Sequence, residues 1–216
     1  MASVLPPSLV DQPVAQIPAS AFPAEIELVP GALRASIHLH TIDAQAGPLR
    51  CWSYVTAGLA AFGQKEVVFT IAVDGDADPG RFPTEPLRFA TTLLQLASQG
   101  RTVDAGAITE LGGSGFMLRR GLTYARALPL AGVPLPPAAL AAIPLTAEEL
   151  SVLKIGGQTR VLAALGAAAT LGAADAPGAR GDALAPARIV TSVVGAGAGA
   201  SDVVEIGLAS LLAPAA

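Results

Sequence analysis

Hydrophobic and polar residues follow patterns along the chain that predict several strands. The strongest pattern is Glu66–Val73 (EVVFTIAV), which is rich in β-branched residues and almost entirely apolar. A run of this kind is typical of a central strand that is covered on both faces of its sheet. Two more strands are predicted at Ala35–Ile42 and Cys51–Thr56, and the period of two places Trp52 and Tyr54 on one face of the latter.

Helical spacing appears next, over Leu87–Gln99. Leucine and alanine recur there every three or four residues, which predicts one buried stripe. Thr84 is the expected N-cap, and Gly100 is the expected glycine after the last turn. The sequence also predicts a helix that begins at Thr146 and a short helix over Pro137–Ile143.

The order of these elements favours the α+β class. Strands and helices alternate irregularly, without the βαβ rhythm of a doubly wound sheet, so we expect a mixed sheet with helices packed on it. Prolines punctuate residues 1–34, which predicts an extended arm before a single domain over residues 35–216. Within that domain we expect one or two strands over Phe116–Leu128, a flexible loop over Ala163–Pro186 and a last strand or helix over Val203–Leu212.

The composition argues against several classes of protein. Hydrophobic residues make up 52% of the chain, and the formal net charge of −4 comes from scattered acids and bases. A nucleic-acid-binding domain would show a basic patch or stripe, which this sequence lacks. Because Cys51 is the single cysteine, the chain forms no internal disulfide and no multi-cysteine zinc site.

Two segments of the sequence bear on the location of the protein. The first ten residues carry no basic region typical of a secretion signal. The uncharged stretch Ala127–Ala147 is long enough to cross a bilayer, but it contains five prolines, which prevent a continuous helix. We therefore expect no membrane span and a cytoplasmic location.

An acidic series follows the strongest strand. Asp74, Asp76 and Asp78 alternate, and Glu85 stands where a calcium-binding loop has its last carboxylate. Pro79 occupies the position that normally requires glycine, and a strand precedes the loop where a helix would be needed. The alternative is an acidic strand-to-helix connection in which Glu85 favours the helix N-terminus. We predict no metal site and no cofactor.

Residues with catalytic potential are few. His38 and His40 share one face of a predicted strand and could supply two metal ligands, but no third ligand follows on that face. The alternative is a pair of histidines on a half-exposed strand. Gly112–Gly115, which contains Ser114, matches neither a nucleophile elbow nor a phosphate loop and predicts a turn. Cys51 is interpreted as a packed thiol, so the sequence presents no recognisable catalytic set.

Four features follow one another along Cys51–Ile71 (CWSYVTAGLAAFGQKEVVFTI). They are the strand that bears Trp52, the turn Val55–Leu59, the step Gly63–Glu66 and the apolar strand Val67–Ile71. In this series the segment resembles the C-terminal domain of SARA- and endofin-type endosomal scaffold proteins. Its tryptophan and V-T-x-G-L opening is also similar to that of suppressor-of-fused domains.

Weaker matches extend the resemblance over roughly residues 51–210. They are Leu87–Gly100, Gly113–Met117, Leu145–Leu162 and Val203–Ser210. Both families are protein-binding modules, and bacterial suppressor-of-fused-like domains include toxin-immunity proteins. The resemblance therefore implies a non-catalytic protein-binding module with a regulatory, scaffold or immunity role. The abundance of alanine, glycine and proline favours a bacterial source with a GC-rich genome.

Two other functions stay open on the sequence. A structural subunit of a homo-oligomeric or larger assembly would suit the sparse charge and the long uncharged stretches. A hydrolase or transferase ranks third. If the protein binds another protein, we expect contact at the sheet edge or at the loops around Asp74–Pro83 and Gly112–Gly115. The candidate binding residues are Trp52, Tyr54, Asp74, Asp76, Asp78, Ser114 and Arg119.

Overall fold

A computed structural model describes residues 2–44, 47–73, 77–112, 120–127, 129–130, 132–158 and 161–162. The strands are β1 (Ser3–Leu5), β2 (Val14–Gln16), β3 (Ala24–Val29), β4 (Leu33–Ala44), β5 (Gly47–Ala57), β6 (Val67–Ala72), β7 (Arg81–Pro83), β8 (Ile108–Glu110), β9 (Gly121–Arg126) and β10 (Leu140–Leu145). The helices are α1 (Glu85–Ser98) and α2 (Ala147–Gly156), and short 3₁₀ turns lie at Pro7–Asp11, Ala19–Ala21 and Leu59–Phe62.

Eight of the strands form one mixed sheet, in the order β1-β3-β4-β5-β6-β10-β9-β8. The pairs β1–β3 and β6–β10 are parallel, and the other neighbours are antiparallel. β2 and β7 pair separately as a short antiparallel ribbon. A mixed sheet with two α-helices confirms the predicted α+β class.

Strand β6 lies inside this sheet because its side chains are suited to burial on both faces. All six residues of Val67–Ala72 are buried, as the apolar pattern predicts. Val67, Phe69 and Ile71 face a core that α1 covers, and Val68 and Ala72 face a second core that includes residues of α2. These two sides of the sheet are called the α1 face and the α2 face below.

Two of the three predicted helices form, α1 and α2, and each begins directly after its predicted threonine. In α1 the stripe Leu87, Ala90, Leu94 and Ala97 is buried, which confirms the predicted amphipathic face. At the start of α2 the Thr146 hydroxyl accepts a bond from the Glu149 amide, and the Glu149 carboxylate accepts one from the Thr146 amide. This reciprocal capping box satisfies two amides that the helix itself leaves without partners.

The N-terminal residues differ from the predicted arm. β1 and β3 belong to the main sheet, and β2 pairs with β7. Leu5, Ala15 and Ile26 are buried in the core on the α1 face. The Thr84 hydroxyl, expected to cap α1, instead donates to the carbonyl of Gln12 and so attaches this segment to the helix start. The first 34 residues are therefore part of the domain, because their apolar side chains reach its core.

A second difference concerns the predicted helix over Pro137–Ile143. The chain there enters β10, which lies between β6 and β9 in the sheet. All of Leu140–Leu145 is buried. Burial between two neighbouring strands therefore outweighs the helix propensity of its alanines.

Parts of the other predictions fall on residues that the structure does not describe. Of the strands expected over Phe116–Leu128, Gly121–Arg126 is β9, and residues 113–119 lie outside the described part. The segments Ala163–Pro186 and Val203–Leu212 also lie outside it. Within the described ranges, no helix is both long and apolar enough to cross a membrane.

Candidate functional site

A row of polar side chains crosses the α2 face over strands β4, β5 and β6. His40 Nε2 lies 2.9 Å from Ser53 Oγ, and Ser53 Oγ lies 2.8 Å from Thr70 Oγ1. The neighbouring His38 turns along its own strand, with Nε2 3.0 Å from Ser36 Oγ. The strand register explains the gathering, because His38, Ser53 and Thr70 lie directly opposite one another.

Burial sets the protonation of both histidines. Burial and, to a smaller extent, the nearby His38 lower the pKa of His40 to about 4. Burial also lowers the pKa of His38, against an opposing effect of the Glu25 carboxylate. Both imidazoles are therefore neutral at pH 7. His40 Nδ1 is buried, and no hydrogen-bond partner for it is found among the described residues.

Cys51 lies directly opposite His40 on the same face. A cysteine beside a histidine can form a reactive thiolate, but only when the pKa of the thiol is lowered. Here burial raises the pKa of Cys51 to about 12, and the residue has no exposed surface. Cys51 is therefore a protonated, shielded thiol at neutral pH.

The contact between His40 and Ser53 resembles that between a general base and a nucleophile. Two properties oppose that use. Ser53 has no exposed surface, and an imidazole with a pKa of about 4 is a weak base at pH 7. The polar row is therefore suited to fixing the register of three strands by hydrogen bonds.

A second polar cluster closes the connection between β5 and β6. The buried carboxylate of Glu66 accepts bonds from the Thr56 hydroxyl at 2.7 Å, the Gly58 amide at 2.8 Å and the Ala60 amide at 3.1 Å. Thr56 Oγ1 in turn accepts the Val67 amide. The sequence pattern indicates only that Glu66 lies at a strand end, because its hydrogen-bond partners are set by the geometry of the turn.

Two predicted binding residues lie inside the protein. Trp52 is 5% exposed and donates from its indole nitrogen to the carbonyl of Pro79 at 2.8 Å. Tyr54 is 1% exposed and donates from its hydroxyl to the carbonyl of Pro83 at 2.8 Å. Both side chains lie on the α1 face, where they attach the segment before α1 to the sheet.

The acidic series is described only in part. Asp78 is exposed, and its carboxylate accepts the Gly80 amide at 2.8 Å and the Gln16 side chain at 3.2 Å. In the part of the chain that the structure describes, no three histidine, cysteine or acidic side chains gather as metal ligands. The predicted residues Asp74, Asp76, Ser114 and Arg119 lie outside the described residues.

Asp74, Asp76, Ser114 and Arg119 belong to the connections that follow β6 and β8. These two strands end at the same end of the sheet. β8 runs parallel to β6, because β10 is parallel to β6 and two antiparallel pairings follow. Leu145, Gly121 and Glu110 lie on one level at the ends of β10, β9 and β8. The last residues of β6 and the end of β8 are therefore about 14 Å apart, across three strand spacings.

The hairpin of β4 and β5 projects beyond this level. Cys51 is opposite Ala72, the last residue of β6, and the hairpin continues through the pairs Thr41–Arg50 to Ala44–Gly47. Thr41 and Arg50 are exposed. The projecting hairpin, together with the ends of β6 and β8 and the start of β9, is called the loop end of the sheet below.

Comparisons with known proteins add no assignment. No protein-family model matches the chain, and no curated protein sequence is significantly similar to it. The resemblance of Cys51–Ile71 to endosomal scaffold domains thus stays a prediction. Within that segment, Trp52, Gly58 and Glu66 have structural roles in this protein.

Proposed function

We propose that this domain is a non-catalytic protein-binding module that contacts its partner at the loop end of the sheet. The observation that carries the proposal is that β6 and β8 end at the same level of the sheet and that the hairpin of β4 and β5 projects beyond that level. Loops that a rigid scaffold holds in place usually supply the residues that recognise a partner. The scaffold is rigid here because β6 is buried on both faces.

The polar groups inside the domain support a binding role over a catalytic one. His40, Ser53 and Cys51 approach one another, but Ser53 and Cys51 have no exposed surface for a substrate. Glu66 uses its carboxylate to hold a turn. These groups therefore stabilise the scaffold that presents the loop end.

Charge narrows the class of partner. The connection after β6 carries Asp74, Asp76 and Asp78, whereas Arg50 and Arg120 border the same end. We propose that the acidic stretch faces a basic patch on the partner, as an immunity-like protein facing a cationic toxin would require. Such charges raise the rate of association more than the final affinity. A single buried thiol suits a reducing compartment, so we place the protein in the cytoplasm.

Affinity capture from the source organism tests this function. The intact protein is the bait, with Thr41→Trp on the exposed side of the projecting hairpin and Thr92→Trp, at an exposed position of α1, as a matched control. We expect the wild type and T92W to retain the same partner and T41W to retain much less, because the bulky side chain blocks the contact. Equal capture by T41W and T92W would remove the loop end as the contact surface.

A second candidate is a structural subunit that assembles with copies of itself. The observation in its favour is on α2, where Val152 is 44% exposed and Ile155 is 88% exposed. Apolar side chains in such positions are often covered by another subunit. Light scattering after size exclusion separates the two functions, because a large homo-oligomer favours the subunit and a monomer favours the binding module.

A further inference from the structure

A turn at the end of the sheet opposite the loop end exposes an aromatic side chain. This turn, Leu59–Phe62, connects β5 to β6. Its first residue is buried, whereas Phe62 is 39% exposed. β6 runs from this connection to the loop end over six residues, a distance of about 17 Å. Phe62 is therefore separate from the surface proposed above for the partner.

Two buried polar side chains hold this turn in place. Glu66 accepts the amides of Gly58 and Ala60 at the start of the turn. Gln64, directly after the turn, is 1% exposed. Its side-chain nitrogen donates to the carbonyl of Val103 at 3.1 Å, and its side-chain oxygen accepts the Val103 amide at 2.7 Å. The turn is thereby fixed to the segment that follows α1, so its exposed aromatic residue is presented with little freedom left to lose on binding.

Charged side chains flank these contacts. Lys65 Nζ lies 2.6 Å from Asp104 Oδ1, next to the bonds between Gln64 and Val103. Arg101, on the other side of Val103, is exposed. Among the described residues, no hydrogen-bond acceptor or carboxylate pairs with the guanidinium of Arg101. One positive charge on this segment is therefore neutralised and the other is not.

Arg126, at the end of β9, borders the same surface. It lies opposite Leu140, which lies opposite Val67, so its Cα is about 10 Å from the start of β6. The bond from the Gly106 amide to the Tyr124 carbonyl brings the segment after α1 beside this end of β9. Arg126 is exposed, and within the described ranges its side chain has no carboxylate partner. This surface is called the basic end below and consists of Phe62, Lys65, Arg101, Asp104 and Arg126.

The residue types of the basic end indicate the chemistry of its ligand. The guanidinium groups of Arg101 and Arg126 are suited to carboxylates, which they bind through paired hydrogen bonds. Aromatic residues and arginine are both enriched where proteins contact proteins. Nucleic-acid binding usually draws on more phosphate contacts than two unpaired arginines supply. An acidic peptide segment with an apolar side chain therefore fits this surface best.

We propose that the basic end binds an acidic segment of another protein, with carboxylates at Arg101 and Arg126 and an apolar side chain against Phe62. The domain then has contact surfaces at both ends of its sheet, as a scaffold that brings two proteins together requires. This inference goes beyond the function proposed above. Loss of binding at one end leaves the other end unaffected, so the two proposals fail separately.

Fluorescence anisotropy with the full-length protein and the labelled peptide DELDELDE tests the contribution of charge. We expect saturable binding that weakens as the salt concentration rises. Arg101→Glu combined with Arg126→Glu should raise the Kd at least about tenfold, because two charged contacts are lost. The matched control combines Arg81→Glu with Arg88→Glu, two exposed positions near the start of α1, and changes the net charge equally. It should bind the peptide as the wild type does.

The apolar contact is tested with a second pair of variants. Phe62→Ser should raise the Kd for the same peptide, whereas Val152→Ser, at a similarly exposed residue of α2, should leave it unchanged. Unchanged tryptophan fluorescence in all variants shows that the fold is intact.

Three results would overturn the proposal. The first is the absence of saturable binding at peptide concentrations up to about 1 mM. The second is an equal rise in Kd for the two charge-reversed proteins, which would mean that only the net charge attracts the peptide. The third is tighter binding of an oligothymidylate of the same length, which would assign the basic end to nucleic acid.

Discussion

The imidazole of His40 and the hydroxyl of Ser53 meet diagonally across β4 and β5, with Nε2 and Oγ 2.9 Å apart. Ser53 continues the contact to Thr70 on β6. Three adjacent strands are therefore joined by side chains as well as by backbone bonds. The pairing holds a histidine inside the sheet in its neutral form, which makes the fold sensitive to acid.

The first prediction concerns this acid sensitivity. The pKa of His40 is about 4 in the folded protein, below its ordinary value of 6.5. As the pH falls, the unfolded chain takes up the proton first, so stability is complete above pH 6.5 and is lost progressively down to about pH 4. Urea unfolding over this range should show a smaller loss in His40→Gln than in the wild type.

His38 limits the size of that difference. Its pKa is also lowered by burial, so part of the pH dependence remains in H40Q. The variant Thr92→Gln, changed at an exposed site on α1 that does not titrate in this range, controls for the introduction of a glutamine. Equal pH dependence in H40Q and the wild type would show that His40 is protonated as easily in the folded state as in the unfolded state.

The second prediction concerns Glu66. Glu66→Ala leaves the Thr56 hydroxyl and the amides of Gly58 and Ala60 without their acceptor. We expect a loss of about 3 kcal/mol in the free energy of unfolding, because buried donors without partners are costly. Glu66→Gln keeps one acceptor and should lose less. The control Glu110→Ala, at an exposed ion pair, should lose less than about 1 kcal/mol, and equal losses in E66A and E110A would contradict the account.

The third prediction concerns Cys51. Its thiol is fully buried, and its pKa is raised to about 12. Iodoacetamide should therefore fail to alkylate the native protein at neutral pH and should react readily once urea unfolds it. Mass spectrometry measures the modified fraction directly, because the chain has one cysteine. Rapid alkylation of the folded protein would mean that the thiol is accessible.

The fourth prediction separates a structural tryptophan from a binding one. Trp52 is the single tryptophan and is 5% exposed, so its fluorescence reports one site. We expect acrylamide to quench it weakly in the folded protein and strongly in urea. Trp52→Ala should reduce stability by about 3–5 kcal/mol, as for other buried aromatic residues. Strong quenching in the folded state would instead indicate an exposed contact residue.

The elements that carry strong local signals could be predicted from the sequence. Val67–Ala72 is apolar throughout, and α2 begins at a threonine followed three residues later by glutamate. Each of these signals acts within one element, so it is visible in the sequence. The same holds for the placement of Trp52 and Tyr54 on a common face.

Contacts between distant residues were not visible in this way. In the proline-punctuated start of the chain, Ile26 belongs to a short alternation of apolar and acidic residues, but no local signal shows that Leu5 and Ile26 are buried through pairing in the sheet. His40, Ser53 and Thr70 are separated by whole strands, and only the register brings them together. Sequence patterns indicate which face a residue occupies, but they do not indicate which residue lies opposite.

The most direct test of the proposed function is the rate at which the captured partner associates with a charge-reversed protein. In the variant, Asp74, Asp76 and Asp78 become lysine, and in the matched control Asp11, Glu25 and Asp104 become lysine. Stopped-flow mixing at several salt concentrations measures association for both proteins and the wild type. A partner with a basic patch should bind the variant more slowly and with a weaker salt dependence than the control. Association of the variant at the same rate as the control would contradict recognition through the acidic connection at the loop end.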